Sequence, residues 1–216
     1  MLNRFARALF TRLLTPTARA LLALGISPDA VTLVGTLGVM AGALIFYPRG
    51  SFFWGTVVIT AFVFSDTVDG IMARLQGRSS TWGAFLDSSL DRFGDAAVFS
   101  GLLLYFALHP EQRWATAFVC LTLACLVLGQ IVSYVRARAE GLGMTASVGV
   151  AERADRLVAV LLTTGLVGLG LPRVVLLVVL ALLAVASLVT VVQRIMFVRR
   201  QAFAAADHQK QEDARA

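Results

Sequence analysis

"DTVDGIMARLQGRSSTWGAFLDSSLDRFGD", from Asp66 to Asp95, carries five of the 13 acidic residues of this 216-residue chain. "FFWGTVVITAFVFS" precedes it and "AAVFSGLLLYFAL" follows it, both apolar enough to sit in hydrocarbon. Ionisable residues within membrane helices are costly and mark a cavity, a partner or a function. The acids therefore decide two things at once: the flanking runs are membrane helices, and the end they share is a site. Asp66 and Asp69 stand three apart and Asp87 and Asp91 four apart, so each pair lies on one helix face. The short link "QGRSST" makes the two helices antiparallel neighbours, with the pairs facing each other.

The whole chain agrees with this reading. Hydrophobic residues make up 58% and charged residues only 15%, against roughly 25% charged in soluble domains. Mean hydropathy is +0.79. The expected fold is an all-α integral membrane protein with six transmembrane helices, near residues 28–48, 51–76, 82–108, 112–138, 154–171 and 173–198. A crossing needs ~20 apolar residues. Ser27 and Pro28 form a helix start, as N-cap and first helical residue. Residues 1–24 scatter Arg4, Arg7, Arg12 and Arg19 among Leu and Phe, which favours an amphipathic interfacial helix over a signal peptide. Residues 1–200 form one membrane domain, and 201–216 a polar, frayed tail.

Net charge is +6. No nucleic-acid module accompanies it, so no nucleic-acid partner is expected. Six crossings put all but Arg49, Arg113 and Arg173 of the 19 basic residues on one side. The positive-inside rule then predicts a multi-pass protein of the cell membrane, with both termini and the acidic site cytoplasmic. Cys120 and Cys125 lie in an apolar run and read as small buried hydrophobes rather than a disulfide or a metal site.

Four converging carboxylates repel one another unless cations join them. Hard oxygen donors suit Mg²⁺ or Mn²⁺, and four carboxylates can hold two such ions for phosphoryl chemistry. Gly70, Ala73 and Gly83 leave room for a substrate, and Arg74 can reach a phosphate. His109 falls on the outer side and His208 in the tail, which leaves an aspartate as base.

Asp66, Asp69-Gly70, Ala73-Arg74, Gly83, Asp87 and Asp91, at this spacing on two membrane helices, resemble the signature of the CDP-alcohol phosphotransferases. The six-helix layout is similar too. The resemblance implies transfer of the phosphatidyl group of CDP-diacylglycerol to an alcohol, with release of CMP. It implies that Asp66, Asp69, Asp87 and Asp91 bind two divalent ions and that Asp91 is the catalytic base. It further implies that Gly70, Ala73, Arg74 and Gly83 surround the nucleotide. Asp29, Ala30, Val31, Thr32 and Ser80 are further CDP-lipid candidates. The enzyme would be a homodimer embedded among membrane lipids.

The wording "GAFLDSSLDRFGDA" looks like the actinobacterial phosphatidylinositol phosphate synthases, which implies inositol phosphate as acceptor. Arg136, Arg153, Arg156 and Arg194 are the candidates for its phosphate, since guanidinium grips phosphate with two donors. Gly141, Gly143 and Gly149 make the 139–153 link able to close over a substrate. Asp95 continues the Asp87–Asp91 face as a supporting group. Two alternatives stand beside this reading: the same chemistry with glycerol 3-phosphate, and a divalent-metal transporter. The clustering of acids at one interface disfavours the transporter.

Overall fold

A computed structural model describes residues 2–77 and 81–213, with side chains for 13–65, 67–77 and 81–204. Among the described residues there are eight α-helices and no strand. The first is α1 (Leu2–Ala23), which contains Pro16. A left-handed Gly25 turns the chain into the second helix. Ser27 caps that helix through its Oγ, which accepts from the Ala30 N–H at 3.2 Å, and Pro28 sits in its first turn. α2 (Pro28–Phe46) ends in a 3-10 turn, Tyr47–Arg49. Then come α3 (Phe52–Val63), α4 (Ser65–Leu75), α5 (Thr81–Leu108), α6 (Ala115–Glu140), α7 (Arg153–Gly168) and α8 (Arg173–Asp213).

Four stretches are long and apolar enough to cross a membrane: Pro28–Arg49, Phe52–Leu75, Ala115–Glu140 and Arg173–Ala204. α5 is long enough but carries Asp87, Asp91, Arg92 and Asp95. α7 has 16 residues, roughly 24 Å of helix against ~30 Å of hydrocarbon.

One of the expected helices is two. The span expected at 51–76 is present as Phe52–Leu75, built from α3 and α4 with a turn at Phe64. The Ser65 hydroxyl donates to the Phe62 carbonyl at 2.6 Å, and such a side chain competes with the helical ladder. The C-terminal end differs as well: α8 runs on to Asp213, through the segment expected to fray. Residues 201–213 are mostly Ala, Gln, Lys, Glu and Asp, without Gly or Pro to stop a helix. Gln201 is also anchored: its Nε2 donates to the Thr145 carbonyl at 2.7 Å, and its Oε1 accepts from the Thr145 N–H at 3.1 Å.

The core is built where small residues let helices touch. A Cβ at Gly35 would lie 1.8 Å from Ser65 Oγ, at Gly38 2.3 Å from the Phe62 ring, and at Gly42 3.1 Å from Ile59. This glycine stripe seats α2 on α3 and α4 in the small-xxx-small manner of membrane helices. On the other side of α2, Gly101 of α5 faces the Ala43 carbonyl. Val39, Ala43, Ile59, Val98, Leu102, Phe106, Phe118, Val160 and Leu180 fill the middle of the bundle. A smaller cluster of Ala18 with Val68, Ile71 and Met72 docks α1 onto α4. Cys125 is buried in the core, Cys120 is exposed, and both are free thiols.

A Cβ at Gly101 would stand 2.5 Å from the Ala43 carbonyl oxygen. Gly101→Leu should therefore part α5 from α2 and cost roughly 3 kcal/mol or more of stability. Thermal unfolding of the detergent-purified variant checks this.

Candidate active site

α2, α4 and α5 diverge at the end marked by the α1–α2 turn, and leave a cavity of about 750 Å³. Asp29 and Thr32 enter its wall from α2, Asp69, Gly70 and Ala73 from α4, and Gly83 and Asp87 from α5. Seven of the residues singled out by sequence thus share one wall, although they come from three helices. A Cβ at Gly70 would meet nothing within 4 Å, so the helix there faces open space.

Asp69 is buried, at 7% exposure. A carboxylate so placed needs a hydrogen-bond partner. Thr32 supplies it: its hydroxyl lies 2.5 Å from Asp69 Oδ2 and 3.1 Å from the Pro28 carbonyl. Asp29 at the start of α2 accepts from Trp82 Nε1 at 3.1 Å, which ties that helix to the first turn of α5. Asp87 and Asp91 both repel Asp69 electrostatically, Asp87 the more strongly. Two hard carboxylates on one wall, one braced by a hydroxyl and each repelling the other, fit a divalent cation of the Mg²⁺ or Mn²⁺ kind.

Asp91 is placed differently. It lines a separate small space with Thr36, Leu90, Gly94, Arg153 and Leu157. Its Oδ1 lies 2.9 Å from Arg153 Nη2 and its Oδ2 3.8 Å from Arg92 Nη2. Asp95, one turn on, accepts from Arg153 Nε at 3.0 Å and lies 3.9 Å from Arg92. The capping box of Glu152 and Asp155 starts α7 and so fixes where Arg153 stands. Among the described residues, no three carboxylate, imidazole or thiol side chains gather closely enough to hold a metal. The Asp66 side chain and Ser80 lie outside the described residues.

The remaining candidates divide. Ala30 is exposed, Val31 packs into the α1–α4 cluster, and Arg74 is exposed beyond the cavity wall. Arg156, 2% exposed, donates to the Ala151 carbonyl at 3.2 Å. Arg194, 4% exposed, donates to the carbonyls of Val148 and Val132, both at 2.8 Å. Arg136 is exposed and pairs with Glu140 of its own helix at 2.9 Å. The charges of Arg92, Arg153 and Arg194 all act on Arg156, and that of Arg136 acts on Arg194. Asp95 also acts on Arg156, and Glu152 and Glu140 act on Arg194, so acids and arginines alternate behind the site. The link to α7 is less free than its glycines suggest, because Arg194, Gln201 and Thr190 hold it at Val148, Thr145, Val150 and Ala151.

Sequence reasoning missed Trp82, Gln76, Ala84 and the Leu22, Gly25 and Ile26 corner of the cavity. Gly25 before "ISPD" is a turn signal that could have marked the corner. Trp82 carries no local signal, because its partner is on another helix.

A family model described as CDP-alcohol phosphatidyltransferase matches residues 25–150. Phosphatidylinositol phosphate synthase of Streptomyces avermitilis is 54% identical over 207 residues, covering 93% of this chain and 84% of that one. The synthase of the same name from Cutibacterium acnes is 48% identical over 207 residues, covering 93% and 98%. The crystal structure of Mycobacterium tuberculosis phosphatidylinositol phosphate synthase with CDP-DAG bound matches with a TM-score of 0.81 at 44% identity, covering 87% of this chain and 94% of that one. The structure of the same enzyme with manganese and citrate matches with a TM-score of 0.81 at 44% identity, covering 86% and 88%.

Arg194 ties α8 to α6 and to the link before α7. Arg194→Met should lose about 3 kcal/mol of stability, from two charge-assisted hydrogen bonds and two stranded carbonyls. A lowered Tm, together with faster proteolysis between residues 141 and 152, would register the loss.

Proposed function

The chain belongs to the CDP-alcohol phosphatidyltransferase family, and on that premise we propose that it moves the phosphatidyl group of CDP-diacylglycerol onto inositol phosphate, giving phosphatidylinositol phosphate and CMP. The observation that carries the reading is the 750 Å³ cavity, whose wall unites Asp29, Thr32, Asp69, Gly70, Ala73, Gly83 and Asp87. Its volume is in the range of pockets that enclose a small organic ligand. The names of the relatives support the choice of acceptor.

In this reading the cytidine diphosphate enters between α2, α4 and α5. Gly70, Ala73 and Gly83 let its backbone approach, and Asp29 and Thr32 hold the α2 side. Arg74 reaches it from the rim, with Ala30 and Val31 behind, and Ser80 is a further candidate contact. Asp66, Asp69, Asp87 and Asp91 hold two divalent ions, Mg²⁺ or Mn²⁺, which when bound neutralise the diphosphate and the departing CMP. Thr32 keeps Asp69 oriented. Arg136 and Arg153 receive the acceptor's phosphate, and Arg156 and Arg194, buried and bonded to backbone carbonyls, support them from behind. The Asp91 carboxylate takes the proton of the acceptor hydroxyl. That oxygen then bonds to the β-phosphorus as the bond from this phosphorus to the bridging oxygen breaks.

The protein is an integral membrane protein. We read residues 1–200 as one unit of six spans, with α5 crossing between α2 and α6, α7 crossing between α3 and α8, and α1 lying in the interface. We read residues 201–216 as its polar tail, of which α8 takes in the part up to Asp213. The arginine distribution supports a cytoplasmic site and cytoplasmic chain ends in the cell membrane. The family supports a homodimer.

Purified protein with CDP-diacylglycerol and Mg²⁺ or Mn²⁺ should release CMP with inositol 1-phosphate, and not when metal is chelated. Release only with glycerol 3-phosphate would keep the chemistry and overturn the acceptor. Release with neither, from folded protein, would overturn the function. Gly70→Leu should not lower Tm, since nothing stands within 4 Å of a Cβ there and leucine is the better helix former. It should cut CMP release about a hundredfold by displacing the nucleotide.

A further inference from the structure

Asp91 is the one proposed metal ligand with a described side chain that does not face the large cavity. Asp69 and Asp87 line that cavity, while Asp91 lines the small space beside Arg153. The side chain that meets Asp91 there is Arg153. Arg153 does not grip a single carboxylate with both arms of its fork. It spreads them, Nη2 to Asp91 Oδ1 at 2.9 Å and Nε to Asp95 Oδ1 at 3.0 Å, across two acids one turn apart on α5. Thr36, Leu90 and Leu157 close the space around the pair with apolar or small groups. The pair is partly buried, with 30% of the Arg153 side chain and 18% of the Asp91 side chain exposed.

We propose that Arg153 is a resident counter-ion which competes with divalent metal for Asp91, and that Asp95 is the residue that keeps Arg153 when Asp91 is given up. The inference rests on the reading that Asp91 is a metal ligand. A divalent ion binds carboxylate oxygen at about 2.1 Å, and a guanidinium 2.9 Å from the same carboxylate would then stand against it, cation to cation. Asp91 turns toward Asp69 and Asp87 only as Nη2 lets go. Asp95 makes that release possible without stranding the guanidinium, because its bond to Nε is separate from the bond that breaks. Arg92, at 3.8 Å from Asp91 and 3.9 Å from Asp95, is shared between both acids and belongs to neither closely. Arg153 and Asp95 are thus positioning residues for Asp91, and they hold its carboxylate out of the cavity until metal draws it in.

The test is binding of Mn²⁺ to the full-length chain in detergent, without lipid or acceptor, read by electron paramagnetic resonance of the free ion. Arg153→Met should bind roughly tenfold more tightly than wild type, and Asp95→Asn roughly tenfold more weakly, the scale of groups that orient a ligand. Arg153→Met combined with Asp95→Asn should bind as Arg153→Met alone does, because Asp95 acts through Arg153. A mere change in local field would instead add the two effects independently. Unchanged or weaker binding by folded Arg153→Met would overturn the proposal, as would additive effects in the double variant. If Arg153→Met does not fold, Asp95→Asn decides, and unchanged or tighter binding by it overturns the proposal. Asp69→Asn separates the two levels: if it binds Mn²⁺ like wild type, the metal site itself is misassigned and the competition falls with it. If it binds weakly while Arg153→Met is unchanged, only the competition fails.

Discussion

A charged carboxylate in an apolar helical bundle must find a partner, and the arrangement of this protein follows from how Asp29, Asp69, Asp91 and Asp95 are given one. Asp69 is buried against the Thr32 hydroxyl. Asp91 and Asp95 are bridged by Arg153. Asp29 holds the indole of Trp82. Each partner comes from a different helix than the acid it serves, so satisfying the carboxylates brings α2, α4, α5 and α7 to one place. The cavity between α2, α4 and α5 lies at that place.

Such convergence requires that the helices come close below the site. Gly35, Gly38 and Gly42 on one side of α2, and Gly101 opposite Ala43 on the other, remove the side chains that would hold α3, α4 and α5 away. The apolar core beneath is tightly filled, with Phe106 stacked on Phe118 at 3.8 Å between ring centroids. The site end is instead open, because Gly70 has nothing beside it. Glycine therefore does opposite things along the bundle: it closes the packing in the middle and opens the space at the end.

The arginines show how one residue type divides between structure and chemistry. Arg194 and Arg156 are almost wholly buried and spend their donors on backbone carbonyls. They hold the 141–152 link and the start of α7, and so they set where Arg153 stands. Arg136 is exposed and pairs within its own helix. A set that looks uniform in sequence thus contains buried ties, one residue inserted among the acids, and one at the surface.

The acidic spacing, the apolar runs and the Ser-Pro start of α2 are local features. Helix period and membrane thickness convert them directly into faces and spans, so the helical class, the order of the elements and the nearness of Gly70 and Ala73 to Asp69 were legible in the chain alone. The break at Phe64 and the persistence of α8 past Arg200 were less so. The first depends on a serine hydroxyl settling on a carbonyl, and the second on Gln201 finding Thr145 across a loop. Only the tertiary structure decided that Thr32 braces Asp69, that Trp82 closes on Asp29, and that Arg153 bridges Asp91 and Asp95. Those contacts join residues distant in the chain, and their geometry is set by how closely the helices pack rather than by the period of any one of them.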